Sequence, residues 1–131
     1  MAPRLLSLVE LDNYNVIPRE LAEKARIVRV PVLPPGAAGM TILNWIFVKR
    51  DDRRAGNREL LVHELVHVRQ WRELGVVGFL SAYLSSYVLG LSRHRNHRQA
   101  YLDIPLEVEA REIAAEWRAA RLRSATPKLD S

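Results

Sequence analysis

The chain has 131 residues, enough for one domain with a real core and too few for two ordinary ones. A hydrophobic share of 48% beside 27% charged residues is that of a soluble globular protein, which argues against a disordered chain. There is no cysteine, so a disulfide framework and a thiolate metal site are excluded, and any metal must be held by His, Asp or Glu.

The net charge of +5 is spread among acids, and its densest runs, Arg93 to Arg98 and Arg118 to Arg123, are short. They read as solvated surface, so a nucleic-acid partner is not expected. Met1 to Leu11 holds a broken apolar stretch carrying Glu10, without the long apolar run of a signal peptide, and a cytoplasmic location is expected.

Along the chain, the opening dozen residues are amphipathic and carry no clear element. Pro18 to Ala25 reads as a short helix with Pro in its first turn. Arg26 to Val32 alternates and is β-branched, as a strand would be. Leu33 to Gly39 is a loop by its Pro and Gly residues, and Thr41 to Lys49 is a second strand of the same small sheet. Asp51 to Gly56 forms a turn, with Asn57 placed to cap the next helix. From Arg58 to about Leu74 the apolar residues surround most of the helix, which marks it as buried, and Gly75 is a natural stop. Val76 to Leu91 is the least polar stretch. Being short of a comfortable membrane span, it is expected as a second buried helix, with a membrane-lying or dimer-forming surface over 76–91 the less favoured alternative. After a basic loop, Pro105 opens a last helix to about Arg123, and residues 124–131 read as a flexible tail. The expected fold is α+β: a small antiparallel sheet, then an active-site helix, an apolar helix and a glutamate helix, forming one domain over residues 1–123.

The helix after Asn57 contains His63-Glu64-Leu65-Val66-His67, an H-E-x-x-H pattern. Residues four apart lie one turn along the same helix face, so both imidazoles can reach one ion. Glu64 sits beside them without ligating, placed to take a proton from metal-bound water and pass it to a leaving amine. Three ionisable groups set in an apolar helix are costly unless they share a partner, and a metal is such a partner. Residues 68–73 carry no further His, so the third ligand must come from elsewhere. The last helix offers Glu107 and Glu109 on opposite flanks of a buried stripe formed by Leu106, Ala110, Ile113, Ala114 and Trp117. Spacing leaves both open.

The pattern Leu-x-x-His-Glu-Leu-x-His-x-Arg-Gln-Trp, followed about 40 residues later by Pro-x-Glu-x-Glu-Ala-Arg, resembles the gluzincin metallopeptidases. It is most similar to their smallest, minigluzincin-like bacterial members, over residues 41 to 117. The resemblance implies a zincin-like fold, a catalytic zinc on His63, His67 and Glu107, Glu64 as general base, and peptide or protein substrates. It also implies an oxyanion-stabilising residue, for which His94, His97 and Tyr101 are candidates and Tyr101 is preferred. Many gluzincins carry an Asp four residues after the ligand Glu to orient a zinc-bound His. Here that position is Arg111, so Asp103, Glu112 or a backbone carbonyl is expected to take over. The alternative function is a non-catalytic or latent zinc-binding module, associated with nucleic acid through its basic surface.

Overall fold

The computed structural model describes residues 2–51 and 56–125. The expected tail from 126 onward and most of the turn before Gly56 lie outside the described residues. The order is α1 (Leu8–Asn13), α2 (Arg19–Lys24), β1 (Arg26–Arg29), β2 (Gly39–Ile42), β3 (Trp45–Val48), α3 (Glu59–His94), α4 (His97–Leu102) and α5 (Pro105–Ala125). This is the expected α+β layout in one domain.

The sheet departs from expectation in one respect. Its order is β1-β3-β2: β2 pairs antiparallel with β3, but β1 lies parallel to β3, so the sheet is mixed. The reason is that the segment expected as one strand, Thr41 to Lys49, is a hairpin. Its turn at Leu43 and Asn44 puts Leu43 at φ 57, a left-handed conformation, and brings β3 back into the centre. Ile46 and Val48 then point into the core, wholly buried beside Ile27 of β1.

The opening residues, which carry no clear element in sequence, are fixed by a capping box and an ion cluster. Ser7 accepts from the Glu10 backbone N–H, and the Glu10 carboxylate accepts from the Ser7 N–H. Arg4 donates to Glu10 and to Asp51 at 2.7 and 2.6 Å, while its backbone bridges Ile27. Glu10 is fully buried and keeps these partners throughout, which is what makes a buried carboxylate tolerable.

Helix α3 runs from Glu59 to His94, but Gly75 breaks it at φ 74 and ψ 173, a conformation open to glycine and strained for other residues. The stop at Gly75 is therefore real, and α3 has two arms. Its N-cap position is taken by Arg58 rather than Asn57, with no side-chain cap, and the Arg58 backbone N–H donates to the Tyr14 hydroxyl. The inner arm, 59–74, crosses under the sheet with Leu61, Val62, Leu65 and Val66 fully buried.

The outer arm, 76–94, is not the buried helix expected from its composition. Phe79 and Gly90 are its buried residues, while Val77 and Val88 are 78% and 63% exposed. One face is held by the domain: Phe79 stacks on Trp71 at 4.0 Å, and Gly90 lies so close to α4 that a Cβ there would stand 2.9 Å from the Ala100 backbone. The other face is exposed.

Helix α5 packs along α3, and its middle is tied down where the Trp117 indole donates to the Asn13 carbonyl at 2.7 Å. Its buried residues are Glu107, Ala110, Ala114 and Trp117. The buried stripe is thus rotated from the one expected: Leu106 and Ile113 are half-buried, and Glu107 stands on the stripe itself.

Candidate metal centre

The inner arm of α3 presents His63 and His67 toward the first turn of α5, where Glu107 projects between them. Glu107 Oε1 lies 3.0 Å from His63 Nε2 and 3.1 Å from His67 Nε2. The candidate ligand atoms of the three residues all fall within 4.8 Å of one another. The two rings meet edge to face, with centroids 4.9 Å apart. Small side chains make the approach possible, since Ala110 and Ala114 are the α5 residues buried against α3 on the turns after Glu107.

Glu109, the other acid weighed for this place, does not reach the cluster directly. It accepts from Arg69 at 2.6 Å and from the Gln70 amide nitrogen at 2.8 Å. Gln70 links it to the site. Its amide nitrogen donates to Glu109 and to the Leu106 carbonyl, so its Oε1 faces His67 Nδ1, 2.7 Å away, as an acceptor. His67 Nδ1 therefore carries the proton, and the neutral ring directs the lone pair of Nε2 at Glu107 Oε1. Two acceptors then face each other across 3.1 Å, an arrangement that calls for a proton or a cation between them.

The donor set therefore fits a divalent metal. Two imidazole nitrogens and a carboxylate oxygen suit zinc with a position left open, and ligand distances of about 2.0–2.2 Å imply nitrogen and oxygen atoms about 3.4 Å apart in a tetrahedron. The separations of 3.0 and 3.1 Å require only a small opening.

The electrostatics follow from burial and these contacts. Burial works to raise the pKa of Glu107, but the two imidazoles and the Tyr83 hydroxyl, which donates to its Oε2 at 2.8 Å, hold it well below the usual carboxylate range. For His67 burial opposes the charged ring, yet the hydrogen bond and charge of Glu107 outweigh it and raise the pKa. Glu64 moves the other way: burial pushes it up, against the nearby imidazoles and Thr41. Its Oε1 accepts from the Thr41 hydroxyl at 2.8 Å, and Thr41 in turn has its carbonyl held by the Trp71 indole at 3.1 Å. Gly39 leaves room for this carboxylate, as a Cβ there would sit 3.2 Å from Glu64 Oε2.

A cleft of about 300 Å³ opens onto these groups, lined among others by Gly39, His63, Glu64, Tyr101 and Arg111. Tyr101 is 37% exposed in its wall; burial and then the charge of Glu107 raise its pKa far above that of an ordinary phenol, so it remains a donor. His94 and His97 are not among the lining residues. His94 pairs with Asp103 at 2.6 Å, and His97 Nδ1 meets the Tyr87 hydroxyl at 2.7 Å. Asp103 and Glu112 therefore do not orient the His67 ring. Gln70 does. Arg111, where an Asp was sought, donates to the Leu102 carbonyl at 2.9 Å and lines the cleft.

Sequence reasoning missed Thr41, Gln70 and Tyr83. Gln70 left a usable signal: an amide three residues after His67, one turn along an otherwise apolar helix. Tyr83 left none, because it lies in a stretch read only for its hydropathy. Set against known protein families, curated proteins and solved structures, the chain matches none of them, so the reading of this site rests on its own geometry.

Proposed function

We propose that this chain is a zinc-dependent peptidase that hydrolyses peptide bonds, with His63, His67 and Glu107 holding the metal and Glu64 acting as general base. The observation that carries the reading is the convergence of three ligand atoms within 4.8 Å beside a cleft whose wall includes His63 and the buried Glu64. A site that only braced a fold would need neither the open cleft nor the extra acid. Zinc, when bound, supplies Lewis acidity, polarising the scissile carbonyl and acidifying a water molecule.

The chain's own residues do the rest. Glu64, whose pKa is raised by burial, takes the proton of the attacking water and returns it to the leaving amine. Thr41 fixes the carboxylate rotamer for both transfers. Tyr83 occupies Glu107 Oε2 and leaves Oε1 to the two imidazoles. Tyr101, protonated in the cleft wall, donates toward the oxygen on which charge develops. Strand β2 is a sheet edge whose Gly39 end lines the same cleft, and an extended peptide can pair along it.

The test is zinc content followed by turnover. Purified protein is expected to hold one zinc per chain, lost in His63→Ala, and to cleave members of a peptide library. Glu64→Gln is expected to keep zinc and fold while cleavage disappears. Zinc retained by His63→Ala, or cleavage surviving in Glu64→Gln, would overturn the reading.

A further inference from the structure

From Leu74 to Ser92 the chain has no acidic or basic residue, and an 18-residue window of α3 reaches a mean hydropathy of 1.7 with only 11% of it buried. Such a surface is unusual on a soluble domain, where large apolar patches mark binding sites. At 100° per residue, Val77, Leu84 and Val88 fall within a sector of about 40°, flanked by Leu80 and Leu91, along about 21 Å of helix. These three are 54–78% exposed. The reverse face is occupied by Phe79 on Trp71, Tyr83 on Glu107 and Gly90 on Ala100. A helix held along one side by its own domain cannot be surrounded by lipid. It can lie on a membrane.

Charge identifies the occupant. The C-terminal end of this helix gives way to Arg93-His94-Arg95-Asn96-His97-Arg98, all exposed, with Asp103 as the neighbouring acid, engaged by His94. Apolar side chains bordered by a cationic run match an interface of acyl chains beneath anionic headgroups. A second copy of this chain matches poorly. Parallel docking sets two such runs side by side. Antiparallel docking sets each against the Arg69, Arg72, Glu73 and Glu109 end of the other, where the acids are already engaged by Arg69 and the charges cancel, so nothing there draws the run in.

We infer that the exposed face of residues 76–94 docks on an anionic membrane surface, the helix lying in the interface plane with Val77, Leu84 and Val88 inserted and the 93–98 run on the headgroups. This surface does not depend on the metal site.

The experiment is co-sedimentation of the full chain with vesicles of phosphatidylcholine alone and of phosphatidylcholine with phosphatidylserine. Pelleting is expected with the second, weakening as salt rises. Leu84→Glu with Val88→Glu should abolish it. Leu84→Ser with Val88→Ser, which tests the same face with less risk to the fold, should lower the partition coefficient about tenfold or more, since each inserted aliphatic side chain contributes on that order. Arg93→Gln and Arg98→Gln should each lower it roughly fivefold. Circular dichroism should show all of these folded. No pelleting with anionic vesicles, or pelleting indifferent to these substitutions, would overturn the inference. So would a dimer of the free protein that Val88→Glu dissociates while vesicles leave the wild type in solution.

Discussion

The two arms of α3 are both rich in apolar residues and opposite in circumstance. Residues 59–74 bury Leu61, Val62, Leu65 and Val66 completely, with the sheet on one side and α5 on the other. Residues 76–94 are more apolar still, yet leave Val77, Leu84, Val88 and Leu89 more than half exposed. The polar side chains are distributed the other way. The inner arm, deep in the domain, carries His63, Glu64, His67 and Gln70, whereas the outer arm carries no ionisable group but tyrosine until Arg93. Hydropathy thus reports that a segment prefers to leave water, without saying what receives it. A buried polar group is the more informative signal, because it is affordable only where partners are supplied.

The largest way to break the contrast is Phe79→Ala. Phe79 is the outer arm's anchor, 5% exposed between Trp71 and Tyr83, so its loss should cost about 3–5 kcal/mol in denaturant unfolding. A cost near that of a surface change would mean the arms are not coupled. Next comes Gln70→Ala, which removes the acceptor of the His67 Nδ1 proton. On the zinc reading it should weaken metal affinity about 10–100-fold, as loss of a partner behind a ligand does, and competition with a chromophoric chelator measures it.

A third prediction concerns pH after chelator treatment. Glu107 is lowered from 4.5, so its contribution is present above 4.5 and lost as pH falls through its depressed folded value. His67 is raised from 6.5, so its contribution is present below 6.5 and lost as pH rises through its elevated value. Glu64, raised by burial from 4.5, begins to cost stability above 4.5 and tilts the maximum toward its acid end. Metal-stripped protein should therefore melt highest between pH 4.5 and 6.5, and Glu107→Gln should flatten that maximum. A stripped protein that gains stability steadily to pH 8 would contradict this assignment of charges.

The smallest effect sharpens the comparison from the other side. Leu84→Ser and Val88→Ser should each change unfolding stability in free solution by no more than about 0.5 kcal/mol, as surface substitutions do. A larger loss would mean that the outer face is covered after all.

Much of this was legible in the chain itself. The α+β order, the short helix from Arg19, the break at Gly75 and the opening of the last helix at Pro105 all follow from punctuation by Pro and Gly and from the period of the apolar residues. The parallel placement of β1 was not legible, because it depends on a tight turn at Leu43, a residue type without turn character. The pairing of His63 and His67 was readable from helical spacing alone. The choice of Glu107 over Glu109 was not, because the buried stripe of α5 depends on how the helix is rotated against α3. Ala110, Ala114 and Trp117 together fix that rotation, whereas Leu106 and Ile113 had suggested another.

Helix α5 is anchored at two points. Its middle is held where Trp117 donates to the Asn13 carbonyl, a bond spanning 104 residues of sequence, and its near end where Glu107 enters the cluster. Ten residues of helix separate them, about 15 Å. A rigid rod fixed at two such points can neither slide along its axis nor roll about it. The reach of the Glu107 carboxylate is thus set in part from the opposite side of the domain, by a short N-terminal helix that touches none of the three clustered side chains. The placement of the site is thus tied to that of Asn13, against whose side chain Gly56 packs so closely that it has no room for a Cβ.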